Sequence, residues 1–299
     1  MAEKVQFHGQ DAYLITHGDS QMWIAPQYGA RLLRWSLAGQ ELIVWPEGAD
    51  FSRINKVRGG NPVLFPFIAR HMIEGEIGLW KDGETIREMP MHGFAREMPF
   101  EVITNSDSTL VMRLQDNEKT RSYYPFSFEF DVTYSLNKDH ELRVSLKIHN
   151  RSGVAMPYYI GHHFYFNVPR QERSDWKIEI PCTQTARQKP DGNITFTSQT
   201  MVESRFEDEE LVDRIHIMDK PQPVRFGNIK KGPHFRIRLD HPSTIPWGAV
   251  TTWTETKESD FYCVEPWTGL PNAIHHRHGL RWLKPGAYQE AICKIDAEL

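Results

Sequence analysis

The segment F-S-F-E-F-D-V-T-Y-S-L, residues 126–136, alternates apolar and polar side chains with a period of two. Because successive side chains of a β-strand point to opposite faces, this alternation predicts a strand with one buried and one solvated face. The residues N-K-D-H at 137–140 are typical of a turn, and residues 141–150 then repeat the alternation. The two segments together predict an antiparallel β-hairpin.

Other short segments along the chain have the same strand-like character. We expect strands at residues 12–16, 21–25, 31–37, 40–45, 109–115, 234–240 and 287–295, separated by Gly, Pro, Asn and Asp. No long segment has an apolar repeat of 3.6 residues, and a short helical piece is expected near residues 207–214. Because the chain contains no linker-like stretch, we predict a single all-β domain over residues 1–299, built as a sandwich or a barrel.

The composition argues against several classes of function. The formal net charge is −4 and no basic block is present, so little is available to neutralise a nucleic-acid backbone. No apolar stretch approaches the ~20 residues that span a bilayer, and the first residues lack the pattern of a secretory signal. Cys182, Cys263 and Cys293 have no CxxC spacing, which favours reduced thiols over disulfides or a zinc site. We therefore expect a cytoplasmic protein that binds neither nucleic acid nor membrane.

Two loop-like segments carry candidate polar residues. R-G-G-N-P-V-L-F-P-F-I-A-R-H, residues 58–71, is irregular because of its glycines and prolines, and Arg70 follows its apolar run. M-H-G-F-A-R, residues 91–96, joins His92 to a glycine, an aromatic residue and Arg96. Either segment, taken alone, is also compatible with a packed loop whose charged residues face solvent.

Two strand-like segments place titratable residues among apolar ones. In Y-Y-I-G-H-H-F-Y-F-N-V, residues 158–168, burying two adjacent histidines is costly unless their ring nitrogens find partners. His162 and His163 would point to opposite faces, so we expect one to face a cavity and the other to be held structurally. In F-Y-C-V-E-P-W-T-G, residues 261–269, Glu265 ends an apolar strand. Desolvation there would raise its pKa and suit it to proton transfer, whereas an exposed strand end would leave it an ordinary surface glutamate.

Other patterns favour no specific chemistry. The run His275, His276, Arg277, His278 has no neighbouring Cys or acidic ligand and is interpreted as a solvated loop rather than a metal site. The acidic segment at residues 206–210 is interpreted as a solvated face or a helix start. The sequence contains no P-loop, GxGxxG, GxSxG or HExxH motif, so nucleotide, dinucleotide and serine-hydrolase chemistry have no visible residues to carry them.

Taken in order, the four polar segments resemble the aldose 1-epimerase, or galactose mutarotase-like, family. GGNPVLFPF is similar to its early Gly–Pro segment, HGFAR to its first histidine motif, GHHFYFNV to its His-x-Tyr-Phe-Asn strand and VEPWTG to its glutamate strand. LKPGAY followed by a strand resembles the family's C-terminal end, so the resemblance spans roughly residues 12–295. It implies a large antiparallel β-sandwich with a sugar site in a cleft across one sheet.

The resemblance also implies the catalytic roles. The family's catalytic histidine, which precedes x-Tyr-Phe-Asn, falls on His163, its glutamate base on Glu265 and its other histidine on His92. Glu265 would take the proton of the anomeric hydroxyl and His163 would protonate the ring oxygen, with the roles exchanged on ring closure. No metal and no organic cofactor are required for this reaction.

Four residues are candidates for substrate contact. The resemblance places the sugar-contacting arginine at Arg70, and Trp267 offers a flat face for stacking on a sugar. Arg58 and Arg96 could bind a phosphate or pair with acidic residues. The expected partner is a small-molecule sugar or sugar phosphate, and the expected assembly is a monomer or homodimer.

The chain differs from galactose mutarotases at two points. Ala69–Arg70 stands where they usually carry Asn–Arg, and His162–His163 where they carry Asn–His. Its GGNPVLFPF and VEPWTG segments resemble more closely the less characterised branches, which include relatives acting on hexose 6-phosphates.

Two alternative functions remain. The first is a non-catalytic sugar-binding or regulatory protein that uses the same cleft. The second is a glycoside hydrolase or lyase, which normally needs two carboxylates, whereas only Glu265 has a persuasive setting.

Overall fold

A computed structural model describes residues 1–137, 140–239 and 245–299. Two predicted features extend beyond this range: residues 138–139 of the turn and residue 240 of the strand at 234–240 lie outside the described residues. The strands of the described residues are β1 Glu3–Phe7, β2 Gln10–His17, β3 Ser20–Ala25, β4 Arg31–Leu37, β5 Gln40–Ile43, β6 Val63–Leu64, β7 Met72–Ile73, β8 Glu76–Ile77, β9 Leu79–Asp82, β10 Thr85–Glu88, β11 Glu101–Asn105, β12 Thr109–Gln115, β13 Phe128–Leu136, β14 Leu142–Asn150, β15 Met156–Tyr158, β16 Gly161–His162, β17 Phe164–Asn167, β18 Trp176–Pro181, β19 Gln184–Gln188, β20 Ile194–Ser198, β21 Met201–Arg205, β22 Arg214–Ile217, β23 Val224–Asn228, β24 His234–Arg238, β25 Ala249–Trp253, β26 Phe261–Trp267, β27 Arg281–Leu283 and β28 Tyr288–Glu298.

Helices are short in the described residues. The α-helices are α1 Glu118–Tyr123 and α2 Ala273–His276, and the 3-10 helices are Pro26–Tyr28, Phe51–Lys56, Ala95–Glu97, Arg170–Asp175 and Glu209–Leu211. None of them combines the length and apolarity that crossing a bilayer requires. The helical piece expected near residues 207–214 is one 3-10 turn, capped by the Asp208 carboxylate, after which β22 begins.

Most strands belong to two antiparallel sheets. The 13-stranded sheet has the order β1-β2-β3-β4-β5-β17-β26-β25-β22-β19-β20, and β16 joins β26 to β6 beside this path. The 9-stranded sheet has the order β11-β12-β13-β14-β28-β24-β23-β18-β21. The prediction of an all-β fold, a large antiparallel β-sandwich, is confirmed. The interpretation of residues 1–299 as one domain stays a prediction.

The hairpin that the alternating segments predicted is present as β13 and β14. Phe128 pairs with Asn150 and Leu136 with Leu142, in an unbroken antiparallel register. Every second residue of β13 is buried, as the alternation required, although the strand begins at Phe128, two residues later than expected. The strands predicted at 31–37 and 109–115 have those bounds in the structure, and the one predicted at 40–45 ends at Ile43.

Aromatic side chains join the two sheets. Phe166 of β17 lies 4.7 Å from Phe226 and 4.9 Å from Phe235 of the smaller sheet, measured between ring centroids. Phe65 stacks on Phe130 at 4.4 Å. Rings of this size bury large apolar areas, which fixes the larger sheet against the smaller one. The opposite face of β17 and β26 remains available for a site.

Candidate active site

The pairing of β16 and β17 with β26 brings the predicted acid and base together. Gly161 pairs with Trp267 and Phe164 with Val264, and the same register sets His163 opposite Glu265. Nε2 of His163 lies 3.5 Å from Oε1 of Glu265. Both side chains are buried, with residue exposures of 7% and 1%. A carboxyl and an imidazole at this separation can both contact one small molecule that lies over the pair.

The two adjacent histidines face opposite sides of the sheet. His162 points into the core, where its ring lies 5.4 Å from that of Trp247 and its Nδ1 is 3.1 Å from Nδ2 of Asn61. His163 points away from the core, and its ring stacks on Tyr165 at 4.8 Å. The Asn61 carboxamide oxygen accepts a hydrogen bond from the backbone N–H of His163 at 3.0 Å. Asn61 therefore holds both residues of the pair in place.

His92 reaches the site from a tight turn in the H-G-F-A-R segment. The backbone N–H of Ala69 donates to Nδ1 of His92 at 3.2 Å, which leaves the proton of the neutral ring on Nε2. The rings of His92 and His163 are 5.3 Å apart. Gly93 has φ +73°, and a Cβ at this position would lie 2.1 Å from the carbonyl oxygen of Phe65. The sequence therefore needs glycine here so that His92 can approach His163.

Burial shifts the proton affinities of the pair in opposite directions. Desolvation, followed by the nearby charges of Arg96 and Arg31, holds the pKa of His163 well below its usual value. Desolvation, followed by the charge of Asp213, raises the pKa of Glu265 well above its usual value. Both shifts favour the neutral form of each group, in which the carboxyl carries one transferable proton. A carboxylate beside an imidazolium holds the same number of protons, so the two forms interconvert without exchange with solvent.

A cavity of about 440 Å³ opens over the pair. This volume lies within the range of about 300–1,000 Å³ that is usual for small-molecule sites. Trp267 contributes its side chain to the wall, and Gly161 makes room for it, because a Cβ there would lie 2.5 Å from the indole. The remaining lining residues are Arg58, Ala69, Arg70, Met91, His92, His163, Arg187, Gln188, Asp213, Ile215, Thr251, Trp253, Glu265 and Pro271.

Three arginines line this cavity and differ in their partners. Arg58 pairs with Glu255 at 3.0 Å, and Arg187 pairs with Glu210 at 3.2 Å. Arg70 is exposed, and its guanidinium forms no ion pair within the part of the chain that the structure describes. Its positive charge is therefore available to a ligand in the cavity.

Residues 11–289 match the sequence profile of the aldose 1-epimerase family. The chain belongs to the aldose 1-epimerase family. The match covers all four polar segments and both partners of the His163–Glu265 pair.

Two similar proteins share about a quarter of the aligned residues with this family member. A protein named putative glucose-6-phosphate 1-epimerase from Salmonella typhimurium is 27% identical over 168 residues, which cover 54% of this chain and 50% of the relative. Protein LacX (plasmid) of Lactococcus lactis subsp. lactis is 25% identical over 242 residues, covering 72% and 76%. The chain thus matches about half the length of the Salmonella relative.

A solved relative shares the fold over the whole chain. A galactose mutarotase-like protein from Clostridium acetobutylicum superposes with a TM-score of 0.83 at 18% identity, covering 100% of this chain and 98% of the other. At this identity the similarity establishes the fold alone, in agreement with the antiparallel sandwich described above.

One candidate residue of this aldose 1-epimerase family member lies apart from the cavity wall. Arg96 is not among the lining residues, and it is 7% exposed, with its Nε 3.9 Å from Glu97. It acts at a distance instead, because its charge lowers the pKa of His92 and of His163. Arg31 contributes in the same way from full burial, which lowers its own pKa to about 9. Sequence analysis did not single out Arg31.

Sequence analysis also missed part of the cavity wall. Asp213, Arg187, Gln188 and Thr251 line the site but lie in segments without a recognisable motif. Asp213 has φ 54°, a left-handed conformation that Asp tolerates better than most residues. That preference could predict a turn at Asp213, but it does not indicate that the residue lies at the cavity. The histidine run at 275–278 lies in α2 and the following turn, away from the cavity lining.

Proposed function

We propose that this chain is an aldose 1-epimerase, which interconverts the α and β anomers of a hexose or hexose phosphate. The observation that carries the proposal is the buried pair of His163 Nε2 and Glu265 Oε1, 3.5 Å apart on the floor of the 440 Å³ cavity. Two groups with opposite pKa shifts and one shared proton suit a reaction that needs an acid and a base at once.

The reaction follows from these two groups. With the pair in its ionised form, Glu265 takes the proton of the anomeric hydroxyl while His163 gives its proton to the ring oxygen. The bond between C1 and O5 breaks, and the open-chain aldehyde turns about the C1–C2 bond. Closure on the other face of C1 reverses both transfers, so the pair ends with the proton it began with. Each such group contributes a factor of ~10²–10⁴ to the rate.

The surrounding residues would orient the sugar. The Nε2–H of His92 faces the same space as His163 and can donate to a sugar oxygen. Trp267 supplies an apolar wall, and Arg70 can donate to hydroxyls or to a charged group. When the sugar is bound in a fixed orientation, it loses its translational and rotational freedom before the reaction begins. The barrier of the ring-opening step is therefore lower.

The charge of the cavity wall favours a phosphorylated hexose. Arg58 and Arg187 are paired with Glu255 and Glu210, whereas the guanidinium of Arg70 has no ion-pair partner among the described residues. Burial disfavours a negative charge on Glu265, so Arg70 leaves a positive charge in the wall for a phosphate group. Two curated relatives carry the name putative glucose-6-phosphate 1-epimerase, which supports the same substrate class. Three buried free cysteines are in keeping with a cytoplasmic enzyme.

The experiment is a measurement of anomer exchange by NMR on α-glucose, α-galactose and their 6-phosphates, each compared with the buffer rate. We expect acceleration of at least one sugar, with a 6-phosphate favoured in kcat/KM. Arg70→Gln should lower kcat/KM for the 6-phosphate more than for the free sugar. Arg236→Gln, an exposed arginine on β24 of the other sheet, serves as the matched control and should change neither.

The same panel tests the alternative of a non-catalytic sugar-binding protein. Sugar binding with exchange at the buffer rate for every substrate would support that alternative and contradict the proposed epimerase.

A further inference from the structure

A third side chain lies beside the catalytic pair and has no part in the proposed reaction. The Sγ of Cys263, a ring nitrogen of His163 and a carboxylate oxygen of Glu265 all lie within 4.8 Å of one another. All three residues are buried. This is the one group in the described residues whose His, Cys and acidic ligand atoms converge in this way.

Strand geometry explains the convergence. Cys263 and Glu265 are two residues apart on β26, so their side chains leave the same face. The register that pairs Tyr165 with Cys263 sets His163 opposite Glu265 on that face. The three donors come from two hydrogen-bonded strands of a buried sheet, and their backbones are therefore held firmly.

One side-chain atom of this cluster lacks a hydrogen-bond partner. Oε2 of Glu265 is buried and has no hydrogen-bond partner within the described residues, and the residue is only 1% exposed. Unpaired buried polar atoms are rare because each forfeits its interaction with water. Groups left in this state are available to a ligand that supplies positive charge.

We propose that Cys263, His163 and Glu265 form an inhibitory binding site for a thiophilic divalent cation, of which Zn²⁺ and Cd²⁺ are examples. Thiolate, imidazole and carboxylate are all ligands of Zn²⁺, and three protein ligands leave a fourth position open to water from the cavity. The thiol and the Glu265 carboxyl each release a proton to solvent, while His163 binds through a ring lone pair. Two anionic ligands then neutralise the charge of the ion beside the buried arginines.

The distances suit a small cation after a modest adjustment. Bonds of about 2.0–2.3 Å in a tetrahedron place ligand atoms ~3.3–3.8 Å apart. The separation of 3.5 Å between His163 and Glu265 already lies in this range. Contacts at the 4.8 Å limit need to shorten by about 1.0–1.5 Å, which rotation of the Cys263 side chain can supply.

The site predicts competition with substrate. A bound ion would occupy the acid and the base that the proposed reaction needs, so ion and sugar exclude one another. Inhibition should therefore be competitive with the sugar and reversed by a chelator. The ion is an inhibitor in this scheme, since ring opening needs no metal.

The direct test is titration of the full chain with Cd²⁺, followed by ultraviolet absorbance of the thiolate-to-cadmium charge-transfer band. We expect one equivalent of ion per chain, a band that is lost in Cys263→Ser, and affinity at least tenfold weaker in Glu265→Gln. Cys182→Ser, a buried cysteine outside the cluster, is the matched control and should keep the band. If Cys263→Ser folds poorly by circular dichroism, Cys263→Ala provides the same comparison.

This readout does not depend on catalysis, so the metal site and the proposed epimerase can fail separately. A band that persists in Cys263→Ser or Cys263→Ala, or tight cadmium binding without a thiolate band, would overturn the metal site. Zn²⁺ that binds at the cluster yet leaves the anomer exchange of an active wild-type enzyme unchanged would overturn its inhibitory role.

Discussion

Strands β13 and β26 bury their side chains in different ways. In β13 every second residue is buried and the others are half-buried, so the sequence alternates. In β26 all seven residues are buried, so the alternation disappears. Tyr262 and Val264 face the main core, and on the other face Glu265 lines the cavity. A strand with one solvent-exposed face has an alternating sequence from which its buried residues can be predicted. A strand that lies between a core and a cleft has no such alternation.

The two strands also differ in what their buried residues contribute. The inward residues of β13 are apolar and stabilise the fold. The cleft-facing side of β26 buries a carboxyl group with an unpaired oxygen, which disfavours folding. Groups that disfavour folding persist in proteins where function requires them. Mutations on the cleft-facing side of β26 should therefore affect chemistry more than stability, and mutations of the inward residues of β13 the reverse.

The largest effect on chemistry is expected for Glu265→Gln. Removal of the base should lower kcat of anomer exchange by ~10²–10⁴-fold, with little change in sugar affinity. Exchange NMR and calorimetric binding measure the two quantities. A kcat close to that of the wild type would contradict the catalytic role of β26, because Glu265 would then be a buried acid without a part in the reaction.

The same variant has an expected effect on stability. The raised pKa of Glu265 means that the folded state binds its proton more tightly than the unfolded chain does. At pH values above the pKa of Glu in the unfolded chain, about 4.3, unfolding releases this proton, and the free energy of unfolding is therefore lower. Glutamine does not titrate, so the variant lacks this destabilisation. The Tm of Glu265→Gln at pH 7 should equal or exceed that of the wild type, and the difference should vanish below pH 4. A lower Tm at pH 7 would contradict the proposed destabilisation by the buried carboxyl group.

The adjacent histidines provide the next comparison. His163→Asn should lower kcat by several orders of magnitude, since it removes the proposed acid. His162→Asn should change kcat little but lower the Tm, because the His162 ring packs on Trp247 and pairs with Asn61. Parallel kinetics and thermal melts separate the two effects. A larger loss of kcat from His162→Asn than from His163→Asn would show that His162, and not His163, is the catalytic histidine.

A core substitution in β13 tests the other half of the comparison. Phe130 is fully buried and stacks on Phe65, so Phe130→Ala should cost about 3–5 kcal/mol of unfolding free energy. The kcat of the folded fraction should stay within about twofold of wild type, which exchange NMR below the Tm can show. If kcat fell although the variant was fully folded, the smaller sheet would contribute to catalysis, which would contradict this comparison.

The smallest effect is expected at Asp213. Its negative charge raises the pKa of Glu265, so Asp213→Asn should shift the alkaline limb of the kcat/KM profile to lower pH. Asp213 is exposed and screened by water, so the shift should be under about one pH unit. A shift to higher pH, or an unchanged limb, would show that Asp213 does not act on Glu265.

The fold could be predicted from the sequence because much of it follows from local periodicity. β12 has the predicted bounds, since its buried and half-buried residues alternate along the strand. β4 also has the predicted bounds, although six of its seven residues are buried. Helix α1 was not predicted, because its six residues are too few for a 3.6-residue repeat and depend on reciprocal caps between Asn117 and Thr120.

The candidate site depended on a different kind of information. His92, His163, Glu265, Arg58 and Arg70 were found through motifs, and all of them line one cavity. Asp213 and Arg187 belong to segments that only the sheet order brings to that cavity, so no local pattern could identify them. Arg31 lies in a strand that contains no recognisable motif. It comes close to His163 only through tertiary packing, which the local sequence does not reveal.

The most direct test of the account is a crystal structure of Glu265→Gln with a bound hexose. We expect the anomeric oxygen within about 2.6–3.2 Å of residue 265 and the ring oxygen within the same distance of His163 Nε2. A sugar bound elsewhere, or in an orientation that keeps both hemiacetal oxygens away from these two side chains, would contradict the proposed proton transfer.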